Sequence, residues 1–232
     1  MNRSVEARTK ALATLSHELK TPVAGIRMTL HLLLEGKLGP INADQRELLE
    51  MSREDCERML AVLQALLELA RLEMGHTELQ IGPQVPAELL GEVMAAHGDR
   101  VRQAGGSLEL DAPAELPAVQ ADPVQAGRVL GNFLSNAGQY GLPGRPVVLQ
   151  ARARSDGYVR FSVINHGRIL TEQEQGLVFD PFFRRAGEST GGTGLGLAIC
   201  RELAALHGGR VGVSCPAGSD LIEFYFDLRS AG

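Results

Sequence analysis

The sequence predicts a multi-domain protein: a helical hairpin that forms a dimeric four-helix bundle, followed by an α/β two-layer sandwich. Three observations carry this expectation. Apolar residues recur at alternating spacings of three and four along two long stretches in the first third of the chain. A breaker-rich joint follows, with Gly75, Gly82, Pro83 and Pro86. Beyond it, helical and extended patterns alternate, which suits helices packed on a mixed sheet. With 232 residues, 44% of them hydrophobic, the chain is long enough for one or two packed domains.

Residues 4–35 read as one long helix in which Leu12, Leu15, Leu19, Pro22, Ile26 and Leu33 form an a/d seam, with Thr29 as a weak step. Gly36, Gly39 and Pro40 end it. Asn42 and Gln45 have the spacing of a capping box and start a second helix. Its seam runs Leu49, Ser52, Cys56, Met59, Leu63, Leu66 and Ala70. Two antiparallel helices cover only part of such stripes, so two hairpins are expected to pair as a homodimer. In this register His17 falls at an outward position, with Thr21 one turn later and Glu18 beside it. Pro22 is expected to bend the helix there. Residues 1–76 are assigned to this hairpin, 77–86 to a linker and 87–232 to the second domain.

In that second domain, residues 87–104 and 123–139 read as helices, with Asp122 capping the latter ahead of Pro123. Residues 107–111 and 117–121 read as extended. Residues 146–154 and 158–165 form a hairpin around Asp156-Gly157. A short helix over 171–176 and another over 195–207 precede a last hairpin of 210–215 and 220–228. His207-Gly208-Gly209 reads as a glycine-capped helix end.

The formal net charge is −5. Neither module has the basic excess by which nucleic-acid binders displace counterions. Cys56, Cys200 and Cys215 match neither a metal spacing nor a disulfide framework, so reduced thiols in a cytoplasmic setting are expected. No apolar run reaches the ~18–20 residues that span a bilayer. With no sensor or membrane segment in view, the chain is expected to be the cytoplasmic portion of a longer receptor. All three lysines, Lys10, Lys20 and Lys37, lie in the first module, so arginine is the second module's permanent cation.

Three clusters carry the chemistry. His17, Glu18 and Thr21 place an imidazole, a carboxylate and a hydroxyl together on a helix. A neutral imidazole is available near neutral pH as a phosphate acceptor, and the carboxylate can take its proton or fix its tautomer. Asn132 and Asn136 are one helical turn apart, so their amides face one way, and amide oxygens are suitable hard ligands for Mg2+. Gly192, Gly194 and Gly196 alternate ahead of an apolar helix, where backbone amides and the helix N-terminus favour phosphate. Singly, these clusters read as a solvated helix face, surface asparagines and a flexible turn. Their order and spacing together point to phosphoryl transfer from a nucleotide pocket on one module to a nucleophile on the other.

Ser16-His17-Glu18-Leu19-Lys20-Thr21-Pro22 resembles the H box of two-component sensor histidine kinases. Asn132 to Tyr140 resembles the family's N box, Phe179 to Arg184 its F box, and Gly192 to Leu197 its G2 box. The resemblance covers nearly the whole chain. It implies a dimerisation and histidine-phosphotransfer bundle followed by an ATPase domain of the gyrase, Hsp90 and MutL type, the Bergerat fold. It implies ATP with Mg2+ as phosphoryl donor, and a response-regulator aspartate as acceptor. Carried over, His17 is the phosphorylated residue, Glu18 its base and Thr21 the phosphatase residue. Asn136, helped by Asn132, holds the metal. Gln139, Tyr140, Asn165 and Gly167 line the nucleotide site. Phe182 and Phe183 anchor a mobile lid over roughly 170–193, Arg184 belongs to the cofactor site, and Gly192, Thr193, Gly194, Leu195 and Gly196 meet the phosphates.

The chain departs from that family in its G1 box, which normally reads Asp-x-Gly-x-Gly and here reads Asn165-His166-Gly167-Arg168-Ile169. Asn165 can still accept a hydrogen bond from adenine, without charge assistance. Ile169 replaces a glycine and is expected to narrow the pocket. Near its end the N box normally has a lysine, where this chain has Gln139. Arg168, Arg184 and Arg185 are candidates for the missing cation, and His166 is a candidate nucleotide contact. At about 1–2 kcal/mol per charged hydrogen bond, the losses are expected to weaken ATP binding by roughly one to three decades. The competing expectation is a degenerate kinase that serves as a phosphatase or ligand-gated scaffold for a response regulator.

Overall fold

The computed structural model describes residues 2–103, 105–113, 115–185 and 192–231, with side chains from Glu18 onward apart from Arg100 and Gln103. The chain divides into two compact units, Met1–Thr77 with Gly187–Leu195, and Glu78–Ala186 with Gly196–Gly232. The first unit is the expected hairpin. Helix α1 spans Asn2–Leu34 and stays continuous through Pro22. Helix α2 spans Ala43–Glu73. Between them Gly36 and Gly39 take φ of 71° and 118°, values that L side chains avoid. The predicted capping box closes the start of α2: the Asn42 side chain accepts from the Gln45 amide at 2.8 Å, and the Gln45 side chain accepts from the Asn42 amide at 2.9 Å.

The seam inside the hairpin is offset from the predicted one. Val23 and Leu30, seven residues apart, are the buried residues among the described side chains of α1, whereas Leu19 and Ile26 stay 48% and 53% exposed. On α2 the more sheltered row is Leu49, Arg53, Cys56, Leu60, Leu63, Leu67 and Ala70, while Ser52 and Met59 face out. Each helix therefore carries two adjacent apolar rows. Spacing alone cannot tell which row meets the neighbouring helix and which is left open. The predicted seam positions Leu12 and Leu15 lie outside the described side chains.

In the second unit the order is β1 (Gly82–Gln84), α3 (Pro86–Gln103), β2 (Ser107–Asp111), β3 (Val119–Ala121), α4 (Pro123–Tyr140), β4 (Pro146–Ala153), β5 (Tyr158–His166), α5 (Glu172–Leu177), α6 (Gly196–Leu206), β6 (Arg210–Ser214) and β7 (Leu221–Arg229). Five strands form one sheet in the order β2-β4-β5-β7-β6, parallel only between β2 and β4. One face is apolar. Val159, Phe161 and Val163 of β5 and Ile222, Phe224, Phe226 and Leu228 of β7 are buried, following the two-residue period of a strand. The α4 residue Phe133 packs on Phe224 with ring centroids 5.6 Å apart. The other face is polar: Arg160 pairs with Asp227 at 2.8 Å and stacks 3.5 Å from the Tyr225 ring centroid.

The expected linker is more than a linker. Gly82–Gln84 pairs antiparallel with Val119–Ala121 in a separate two-stranded sheet. A three-residue strand of Gly, Pro and Gln has no pattern of its own; its partner 35 or more positions away makes it one.

Asp122 fastens this corner. Its Oδ1 accepts from the Val124 and Gln125 amides at 3.0 and 3.1 Å, as an N-cap does, and its Oδ2 accepts from the Gln80 amide at 2.9 Å. The Asp122 amide donates to His207 Nε2 at 3.1 Å, and His207 Nδ1 lies 2.7 Å from the Leu203 carbonyl. The buried His207 ring, just past α6, thereby accepts through Nε2 and donates through Nδ1. Phe133 is fully buried in the shared core of helix and sheet. Phe133→Ala is expected to destabilise this unit by about 3–5 kcal/mol, read as a lower denaturation midpoint.

Candidate nucleotide site

Helix α4 positions the two asparagines. Its buried stripe of Ala126, Val129, Leu130, Phe133, Leu134 and Ala137 fixes the helix rotation, so Asn132 and Asn136 stand half-buried on its flank. The Asn132 amide reaches the start of α6: a Cβ built on Gly196 would lie 3.3 Å from Asn132 Oδ1. Only a glycine leaves that approach uncrowded. In the run that leads into α6, Gly194 takes φ of 70° and the Leu195 amide donates to Thr193 Oγ1 at 3.2 Å. Leu195 is fully buried, while Gly192, Thr193 and Gly194 stay partly open. Amide oxygens beside a glycine at a helix N-terminus suit a magnesium-bound phosphate chain: they are hard, neutral ligands next to backbone N–H groups.

Asn165 ends the apolar row of β5 and is 3% exposed, facing the helices like Phe161 and Val163. Its Nδ2 donates to the His166 carbonyl at 3.2 Å, so Oδ1 is the end left to accept. The chain closes over it. Gly141 and Gly167 form an isolated antiparallel bridge, and the Leu142 amide donates to the His166 carbonyl at 2.8 Å. Both glycines are needed. A Cβ at Gly167 would meet the Tyr140 carbonyl at 3.1 Å and Asn165 Nδ2 at 3.2 Å, and a Cβ at Gly141 would run into the Ala137 carbonyl oxygen. The end of α4 and the loop after β5 are thus stitched together around one amide.

His166, the next residue, bonds Asp220 at 2.8 Å and Arg145 at 3.1 Å. Beside Asn165 opens a pocket of about 160 Å3, with Gln139, Leu142, Arg145 and His166 among its lining residues. Arg145 is therefore the cation that shares a wall with Gln139. It was not among the candidates read from sequence.

Two of those candidates are accounted for. The Arg185 side chain is 9% exposed and donates through all three of its nitrogens. Nε and Nη2 bind the two Glu174 oxygens at 2.8 and 3.1 Å; Nη1 and Nη2 bind the Arg168 and Ile169 carbonyls at 3.1 and 2.7 Å. Glu174 in turn closes a capping box with Thr171 at the start of α5. The Arg185 guanidinium, then the Thr171 amide, hold its carboxyl down to about 2. Arg185 is committed inside the protein. Arg168 is exposed, but its carbonyl belongs to this arrangement. Ile169 does not narrow the interior: its side chain lies at the surface.

The F-box segment is held at both ends. Asp180 binds Arg201 of α6 at 2.9 Å, and Arg185 holds the other end. Between them Phe182 adopts φ of 63°, a left-handed value uncommon outside glycine, and stays exposed. Phe183 is half-buried, and Arg184 and Tyr140 are exposed. Lid residues 186–191 lie outside the described residues.

In the first unit Glu18 and Thr21 are exposed on α1. His17 is within α1, and its side chain lies outside the described residues. Glu174, Asp180 and Gly141 escaped the sequence reading. Only the capping-box spacing of Thr171 and Glu174 could have flagged the first of them.

Comparison with known proteins identifies two families along the chain. The histidine kinase A (phospho-acceptor) domain family matches residues 7–75, and the histidine kinase-, DNA gyrase B- and HSP90-like ATPase family matches residues 121–230. The chain is 33% identical over 221 residues to the alginate biosynthesis sensor protein KinB of Pseudomonas aeruginosa, covering 95% of this chain and 37% of that protein. It is 30% identical over 217 residues to the circadian input-output histidine kinase CikA of Synechococcus elongatus, covering 91% and 29%. The crystal structure of full-length ShkA in complex with AMPPNP superposes with a TM-score of 0.77 at 32% identity, covering 96% of this chain and 46% of that one. The chain thus spans less than half the length of these relatives. Among the described residues no helix is long and apolar enough to cross a membrane.

Gly141→Ala tests the stitched frame. The added methyl meets a backbone carbonyl, which has no rotamer to escape into. The substitution is expected to cost about 1–3 kcal/mol of stability, measured by chemical denaturation.

Proposed function

The chain belongs to the sensor histidine kinases of two-component systems, and we propose that it is an ATP-dependent protein-histidine kinase core that phosphorylates His17. In this reading the phosphoryl group then passes to an aspartate of a response-regulator receiver domain. The observation that carries it is the joining of a phospho-acceptor hairpin to an ATPase-type unit whose Asn132 reaches the start of α6.

The residues divide the work as follows. Asn165 Oδ1 accepts from the adenine amino group, between Gly141 and Gly167. The glycines ahead of α6 and the helix N-terminus receive phosphate oxygens. Asn136 and Asn132 offer amide oxygens to Mg2+, which when bound neutralises charge on the β- and γ-phosphates. A nitrogen of the neutral His17 imidazole forms the new N–P bond as the γ-phosphoryl leaves ADP. Glu18 takes the proton from the far ring nitrogen or holds its tautomer. Thr21 orients a water for dephosphorylation of the regulator. The open apolar row with Leu19, Ile26 and Met59 supports pairing with a second copy into a four-helix bundle.

A second reading is favoured by Asn165 and Gln139, which stand where the family has charge: a degenerate kinase acting as phosphatase or scaffold. Labelling with γ-phosphate-labelled ATP separates the two. The kinase reading expects acid-labile label on the wild type and none on His17→Gln. Absence of label on both, with regulator dephosphorylation retained, supports the second reading; label on His17→Gln overturns the assignment of His17. The nucleotide site is expected to be weak. Asn165→Asp restores a charged acceptor and is expected to tighten ATP binding by roughly tenfold in a fluorescent-nucleotide titration.

A further inference from the structure

Arg185 and Glu174 form a latch that no recognised motif accounts for. We propose that Arg185, held by Glu174, is a positioning residue of the nucleotide site, setting the shape of the 165–171 loop without touching phosphate itself. The inference rests on the second unit being the ATP-binding one.

The geometry carries it. Two consecutive carbonyls, of Arg168 and Ile169, point into one guanidinium. The same guanidinium is gripped by both oxygens of Glu174, whose Oε2 also accepts from the Thr171 amide at 2.8 Å. Arg185 thereby fastens the loop on its far side, while the bridge between Gly141 and Gly167 fastens it on the near side. Asn165 lies at the near end of this doubly pinned stretch. Where the resemblance leads one to expect a glycine, the chain has Ile169, which cannot relax as glycine does. The latch uses the Ile169 carbonyl and leaves its side chain at the surface. Arg185 also ends the segment that begins at Asp180, so the base-side loop and the root of the lid share one anchor.

A planar fork is required. Lysine could pair with Glu174, but its single ammonium cannot serve both carboxylate oxygens and both carbonyls in one plane. The carboxyl is held at about 2, so the latch stays ionised from pH 6 to 9 and its effect is expected to be constant there.

The test compares ATP, ADP and adenosine binding by the whole chain in four forms: wild type, Arg185→Gln, Glu174→Gln and the double variant. A positioning role predicts that each single variant weakens all three ligands by the same factor, roughly tenfold. It also predicts that the double variant is no weaker than the singles, because both break one unit. Arg185→Lys is expected to recover only part of the loss. Faster hydrogen exchange at 168–171 in nucleotide-free Glu174→Gln provides a readout independent of ligand. If Arg185 instead contacts phosphate, Arg185→Gln weakens ATP and spares adenosine, and the proposal falls. It falls also if Glu174→Gln binds all three as wild type does. A wild type that binds none of the three while exchange at 168–171 still responds to Glu174→Gln overturns the ATP-binding reading rather than the latch.

Discussion

The rotation of α4 on the sheet is the constraint on which the nucleotide unit depends. Phe133, Leu130 and Leu134 are sealed against β5 and β7, and their burial leaves only one flank for Asn132 and Asn136. The Asp122 cap fixes where the helix begins and Gly141 where it ends, so the asparagines are set along the axis as well as around it. The polar chemistry is thus placed by apolar packing. A helix free to turn by one residue, about 100°, would carry both amides away from the start of α6.

Much of this was legible in the sequence because it rests on local rules. The capping box at Asn42 and Gln45, the cap at Asp122 and the hairpin turn at Asp156-Gly157 need only neighbours in sequence. The extended segments that became the five strands of the main sheet, with their two hairpins, were readable from residue patterns. What stayed hidden depends on distant partners. Gly82–Gln84 becomes a strand only beside Val119–Ala121. The hairpin seam went to Val23 and Leu30 because two apolar rows of equal quality lie on one helix. The Arg145 and Asp220 partners of His166 lie 21 and 54 positions away, beyond the reach of any local pattern. The Arg185 latch spans eleven positions to Glu174 and uses main-chain carbonyls, which no residue pattern records.

The charge balance of the site also reads differently once the side chains have places. From sequence, the absent lysine near Tyr140 invited replacement by any nearby arginine. Arg185 is ruled out by its own bonds, because a guanidinium already donating to a carboxylate and two carbonyls has no reason to release them for phosphate. Arg145 shares the pocket wall with Gln139, but His166 and Asp220 hold it on that side. Its charge is partly answered before any ligand arrives. In the proposed site, Asn165 and Gln139 are neutral where the family resemblance leads one to expect fixed charge, while Arg168 and Arg184 stay exposed.

Neutral ligands act well only when they are already in place. A lysine ammonium can swing to its phosphate on a flexible stem and still contribute, because Coulomb attraction falls off slowly with distance. An amide must meet its partner within hydrogen-bond range and angle, or it contributes almost nothing. Replacing charge by amides at Asn165 and Gln139 thus raises the demand for rigidity around them. The chain answers with glycines that let the Gly141 and Gly167 segments touch, and with an arginine, Arg185, that pins the loop beyond. Weak polarity and stiff framing are two sides of the same design, and loosening the frame should hurt this site more than it would hurt one built on aspartate and lysine.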